Sequence, residues 1–252
     1  WKANGGTTSS NSDGNITSTV QANTTSGFSI VTWTGNENSS ASVGHGLGVT
    51  PEMVFFKRRN STYNWVVYVG PLGQVSGNNM FAYLNLTNAA EQASGITFTS
   101  SLLNPGSGAT TNSGDMIAYC FNSVKGYSKF GKYTGNSHSG GDGPFVYTGF
   151  APSFIIIKRT DAANDWIIHT YKLGTLNGAG SVKGNVGNTN TSAFRANENS
   201  VVNQWGHIDM LSNGFKVRSA GGASENATGT YIYMAFAEHP FVTSTGIPTT
   251  AR

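Results

Sequence analysis

The side chains with most chemistry to offer in this 252-residue chain are five histidines, twelve acids and one cysteine. His45 lies in Gly44-His45-Gly46-Leu47-Gly48, whose glycines would suit a phosphate loop, but a strand-like run follows it and no helix N-terminus faces a phosphate. The segment reads instead as a hairpin connection. His138, His169, His207 and His239 lack the spacing of a zinc site. Asn11, Asp13 and Asn15 alternate as at the start of a calcium loop, without the later bidentate acid that such a loop requires. A glycosidase would need two carboxylates about 5 to 10 Å apart. A site built from acids of one half of the chain stays open, although no acid is shared between the repeats described below: Glu52 faces Ser153, Asp115 faces Thr230 and Asp161 faces Asn60. Cys120 corresponds to Ala235, so its position asks for a small apolar group rather than a thiol nucleophile. These patterns imply no metal, no cofactor and no enzyme.

Binding is the chemistry left. Lys57-Arg58 and Lys158-Arg159 are the charged feature held in both repeats, and they read as caps at a sheet edge or as an interface to an anionic ligand or another subunit. Trp205, Tyr63 and His207 stand in polar segments without counterparts, which makes them the candidate ligand-facing groups. Trp65 and Trp166 open apolar strands at equivalent places and are the expected core anchors.

The elements that must position these groups are organised by an internal repeat. Gly48, Pro51, Lys57, Arg58, Trp65, Leu72 and Gly73 recur 101 residues later as Gly149, Pro152, Lys158, Arg159, Trp166, Leu173 and Gly174. Residue class is kept between them, Met53-Val54-Phe55-Phe56 facing Phe154-Ile155-Ile156-Ile157. Gly27-Phe28-Ser29 matches Gly126-Tyr127-Ser128 upstream, and Gly114 to Phe121 matches Gly229 to Phe236 downstream. The offset drifts from 99 to 115 through polar connections, because loops absorb insertions and strands do not.

The four-residue apolar runs at 53–56 and 154–157 suit inner strands covered on both faces, each turning into a tryptophan-led partner. Residues 16–22 alternate as a half-buried strand should, and residues 116–121 and 231–236 close the two modules. Residues 86–94 are the only stretch with helical character. Glycine, asparagine, serine and threonine make up nearly half the chain while charged residues make up 11%, a composition that excludes a helical bundle. With 37% hydrophobic residues the chain still has material for a core. The expected fold is all-β, two tandem β-sandwich or jelly-roll-like modules related by internal duplication. Residues 1–15 form a polar segment ending a preceding repeat, 16–122 module 1, 123–241 module 2 and 242–252 a polar tail. Beginning at Trp1, the chain reads as the remainder of a longer polypeptide.

A net charge of +3 with no basic run longer than Lys57-Arg58-Arg59 excludes nucleic-acid binding through a charged stripe. No apolar stretch approaches the ~18 to 20 residues of a membrane-spanning helix.

Several motifs together resemble a known family. They are Gly27-Phe28-Ser29-Ile30-Val31, Val43-Gly44-His45-Gly46-Leu47-Gly48, Gly126-Tyr127-Ser128-Lys129-Phe130-Gly131, Asp142-Gly143-Pro144-Phe145-Val146-Tyr147-Thr148-Gly149-Phe150 and Met234-Ala235-Phe236-Ala237-Glu238-His239-Pro240-Phe241. The family is a domain found at the C-terminal end of large structural proteins of marine tailed bacteriophages, often behind laminin-G-like or lectin-like domains. The resemblance covers nearly the whole chain and brings no catalytic motif. It implies a virion structural protein at the virion surface, a tail or capsid fibre contributing to host attachment. Its partners would be other virion proteins, two further copies in a homotrimer, and a host-surface glycan or receptor. The alternative is a carbohydrate-binding sandwich of a larger extracellular enzyme.

Overall fold

The computed structural model describes residues 3, 6–138, 140, 142–170, 191–199, 203–205, 207–219 and 225–240. Leu173, Gly174 and the tail 242–252 lie outside the described residues, as does Trp1. Regular structure among the described residues is β-strand throughout, apart from one 3-10 turn at Gly70–Leu72. The chain divides into two compact units, Trp1–Asn85 with Ala90–Val124, and Leu86–Ala89 with Lys125–Arg252.

Unit 1 contains β1 (Ser9–Asn11), β2 (Ser18–Asn23), β3 (Phe28–Asn36), β4 (Val43–Gly44), β5 (Met53–Arg58), β6 (Val66–Val69), β7 (Gln74–Val75), β8 (Asn78–Tyr83), β9 (Glu91–Ala93), β10 (Thr97–Phe98), β11 (Leu102–Asn104) and β12 (Ser113–Phe121). Its large sheet runs β1-β2-β3-β12-β5-β6-β8-β7, with β9 also on β8, and its small sheet runs β10-β11-β4. β1 comes from the segment expected to precede the first module, yet it pairs with β2, Ser9 opposite Val20. Inward residues of the large sheet, among them Val31, Trp33, Phe56, Met116 and Cys120, pack against Val43 and Leu103 of the small one. The result is a lopsided sandwich of a broad sheet covered by a narrow one.

Unit 2 contains β13 (Ser128–Gly135), β14 (Phe145–Tyr147), β15 (Pro152–Arg159), β16 (Trp166–Thr170), β17 (Thr191–Arg195), β18 (Asn203–Trp205), β19 (Ile208–Leu211), β20 (Gly214–Val217) and β21 (Gly229–Ala237). The sheets run β13-β21-β15-β16-β17-β18 and β14-β20-β19. Tyr133, Ile155, Ile157, Tyr231 and Tyr233 meet Val146, Ile208, Phe215 and Val217 between them. Unit 1 repeats this order as β3-β12-β5-β6-β8-β9 and β4-β11-β10. β12 and β21, the last strands of their units, insert between β3 and β5 and between β13 and β15 respectively.

Met53, Val54, Phe55 and Phe56 are all buried, as the lack of alternation predicts for an inner strand. The helical expectation for 86–94 fails. Glu91–Ala93 is instead a strand paired with β8, Phe81 opposite Glu91. Thr87 and Asn88 are weak helix formers, and an open strand edge offers the backbone a full set of partners.

Hairpin geometry is the same in both units. Trp65 N–H donates to Asn85 Oδ1 at 2.9 Å, and Trp166 N–H to Asn197 Oδ1 at 2.8 Å. Asn85 Nδ2 then donates to Asn64 Oδ1, and Asn197 Nδ2 to Asp165 Oδ1, each at 2.8 Å. Arg58 Nε donates to Asn60 Oδ1 and Arg159 Nε to Asp161 Oδ1, each at 2.9 Å. Asparagine in one unit and aspartate in the other fill one geometric role, which accounts for Asp161 standing against Asn60 and Asp165 against Asn64. Opposite this tip sits Gly114, at φ +63°, where a Cβ would come within 2.7 Å of Asn60 Oδ1. At Gly229 a Cβ would lie 2.6 Å from Asp161 Oδ1.

Candidate functional site

Lys57 and Lys158 lie on β5 and β15, inner strands with partners on both sides, so the sheet-edge reading of the Lys-Arg pairs is corrected. The lysines hold the hairpin turn. Lys57 Nζ donates to the Tyr63 carbonyl, and Lys158 Nζ to the equivalent Asn164 carbonyl and to Thr87 O at 2.9 Å. Trp65 and Trp166 stand beside these lysines, Trp166 directly opposite Lys158, on the face turned away from Ile155 and Ile157. They are therefore not anchors between the two sheets. Trp166 is 1% exposed, whereas Trp65 is half-buried, stacked on Tyr119 with centroids 6.2 Å apart and with Lys57 Nζ 5.9 Å from its ring.

Lys158 is fully buried, and desolvation lowers its pKa to about 8 despite the nearby Asp165. Its unfolded value is 10.5, so the charged form is disfavoured by folding and stability should rise with pH between about 8 and 10.5. The gain is about 3 kcal/mol. Urea titrations of the wild type and of Lys158→Met at pH 7 and pH 10 should show it as a gain with pH that the variant lacks, set against the loss from buried groups such as the Cys120 thiol, which burial pushes up to about 12.

Tyr63 is 41% exposed at the β5–β6 turn of unit 1, with the Arg58 guanidinium 5.3 Å from its ring. Trp205 ends β18 in unit 2, its backbone opposite Thr191, and its side chain lies outside the described residues. His207 is the sequence candidate placed in a polar cluster. Its Nδ1 lies 2.9 Å from Glu225 Oε2, while His169 Nε2 lies 3.2 Å from Glu225 Oε1. Tyr133 Oη donates to the Glu225 carbonyl at 2.9 Å.

His169 and Glu225 are fully buried. Burial by itself pushes the Glu225 carboxyl up, but the His169 hydrogen bond, the close approach of His207 and the charge of the two imidazoles outweigh it and hold it at about 2. The Tyr133 phenol is pushed well above its usual value, first by burial and then by the charge of Glu225. A carboxylate this deep and this well paired meets no substrate, so the cluster is a structural lock. Among the described residues no group of three or more His, Cys, Asp or Glu is placed to hold a metal.

Strand registers show what unit 1 carries in the same place. Asn104 opposite Thr97 corresponds to the Arg218 N–H bond to the His207 carbonyl, so Thr97 stands for His207. Tyr83, paired with Val66, stands for Arg195, paired with Ile167. Thr111 stands for Glu225, because the next residue in each unit, Asn112 or Asn226, accepts the same backbone bond from Glu37 or Ser137. Where unit 2 has this charged set, unit 1 has an open cleft of about 250 Å³ walled by Val66, Phe81, Tyr83, Ile96, Pro105 and Thr111. Ala93, also in its wall, occupies the register of Trp205.

A second depression, of about 260 Å³, lies on the large sheet of unit 1 and is lined by Thr17, Thr19, Thr32, Thr34, Arg59 and Asp115. Thr19 pairs with Thr32 and Thr34 with Asp115, so strand register sets the spacing of this hydroxyl trough.

His45 has no part in either depression. It is fully buried, Leu47 N–H donates to its Nδ1 at 3.2 Å, and burial lowers its pKa. Asn11 and Asp13 close a local turn, Asp13 N–H donating to Asn11 Oδ1 at 2.9 Å.

The model of the domain of unknown function DUF7483 matches residues 1–240. The chain belongs to that family. No curated protein and no solved structure matches it.

The roles of Glu225 and His169 in this DUF7483 chain escaped sequence reasoning. Their signal was present as a difference between repeats, histidine against Tyr68 and glutamate against Thr111. Reading the second requires a one-residue shift just before Gly114 and Gly229.

Proposed function

We propose that this DUF7483 chain is a structural component of a bacteriophage virion appendage, a tail or capsid fibre that assembles as a homotrimer and contributes to attachment to a host surface. The observation that carries the reading is the hydroxyl trough of unit 1. Thr17, Thr19, Thr34, Arg59 and Asp115 are exposed, and paired strands hold Thr19, Thr34 and Asp115 at fixed spacing. Groups held by a sheet lose little freedom on binding, and hydroxyls flanked by one cation and one anion favour an uncharged polar surface such as a glycan coat.

The expected result in mass photometry at micromolar concentration is a particle of three times the 26.5 kDa chain mass. Thr32→Lys with Thr34→Lys should leave that mass unchanged and abolish adherence to the bacterial host. A monomer would overturn the fibre reading and favour a carbohydrate-binding module, the alternative supported by the aromatic cleft. Full adherence of the double variant would remove the trough from the interaction.

A further inference from the structure

The cleft of unit 1 carries an inference of its own, which rests on the attachment reading only for its biological use. Its walls combine three kinds of surface. Phe81 and Tyr83, edge to face with centroids 5.3 Å apart, give it aromatic surface, and Val66 and Ile96 extend the apolar part. Ser94, Ser107 and Thr110 bring hydroxyls to it. Gly106 and Gly108 leave backbone amide groups uncovered by side chains. No charged side chain lines it.

These features select a ligand class. An anion or a cation would give up water without meeting an opposite charge. A purely apolar ligand would strip water from three hydroxyls and a phenol and offer them nothing in return. A neutral ring with an apolar C–H face and polar edges satisfies both surfaces, since the aromatic rings accept the face and the hydroxyls and backbone take the edge. The volume equals that of roughly eight water molecules, which admits one such ring rather than a long chain. The contrast with unit 2 supports specialisation. The positions of Tyr83, Thr97 and Thr111 there hold Arg195, His207 and Glu225, with Glu225 tied to His169. Unit 2 carries a paired carboxylate at the position where unit 1 carries Thr111 in the wall of its cleft.

We propose that the cleft between β8, β9 and the Pro105–Thr111 segment binds a single neutral pyranose unit, the terminal sugar of a glycan. The test is saturation-transfer difference NMR on the full chain. The probes are the methyl glycosides of glucose, galactose, mannose and N-acetylglucosamine, with sorbitol as an acyclic polyol of similar polarity.

At least one pyranoside should receive saturation, chiefly on the C–H groups of one ring face, and sorbitol should not. Ser94→Trp, which fills the cleft from an exposed position, should weaken that binding at least about tenfold without moving the melting transition. Phe81→Leu, which keeps apolar volume but removes the ring, should weaken it to a lesser degree. No signal from any pyranoside, equal transfer to sorbitol, or wild-type binding by Ser94→Trp each overturns the proposal. Sugar binding without host adherence would keep the site and sink the attachment role. Adherence that survives Ser94→Trp and competing pyranoside would keep the attachment reading and remove the cleft from it.

Discussion

Glu225→Ala is expected to destabilise unit 2 by about 3 to 5 kcal/mol at pH 7, the largest effect of any single change outside the apolar core. Glu225 is fully buried with His169 and His207 on its two oxygens, and its removal leaves those imidazoles with no anion between them. The same pairing sets an acid limit. Glu225 has a folded pKa of about 2 against 4.5 when unfolded, so its contribution is fully present above pH 4.5 and is lost as pH falls towards 2. Over that range it amounts to about 3 kcal/mol. Urea denaturation followed at pH 7, 4.5 and 2.5 measures it. The wild type should lose stability more steeply than Glu225→Gln below pH 4.5. Parallel curves would mean that the carboxylate contributes nothing to the native state.

Trp166→Ala should cost about 3 to 5 kcal/mol, whereas Trp65→Ala at the matching place in unit 1 should cost only about 1 to 2 kcal/mol. The residues share a place in the hairpin, a lysine neighbour and an asparagine that accepts their backbone N–H. They differ in burial, since Trp166 is 1% exposed and Trp65 is half-buried. A calorimetric scan reads both variants, and each substitution should lower the transition of its own unit. Equal losses at the two positions would mean that burial does not distinguish them.

The strands were the most legible part of this chain. Unalternating apolar runs marked β5 and β15, and each hairpin partner followed at the expected distance. The segment 86–94 was misread because isolated helical character says nothing about an available sheet edge. Trp166 is buried as its place in an apolar strand predicts, yet a strand presents two faces, and only the register shows that Trp65 and Trp166 leave the one between the sheets. The Lys-Arg pairs suffered the same limit, since a position at a strand's end does not reveal whether that strand lies at a sheet's edge.

His207 was picked out by its isolation in a polar stretch, but its partners Glu225 and His169 are 18 and 38 residues away in sequence and meet it only across the sandwich end. The sequence by itself determined an all-β chain, because its composition disfavours helices and its apolar runs have strand length. It determined the repeated hairpin too, since backbone geometry there depends on neighbours a few residues apart. Tertiary structure alone decided which side chains meet at the equivalent positions of the two units. Backbone register sets Arg195 and Glu225 of unit 2 at the positions held in unit 1 by Tyr83 and Thr111, two walls of the cleft. Charges bury only when opposite partners arrive together, and segments so distant in sequence arrive together only through the assembled sheets.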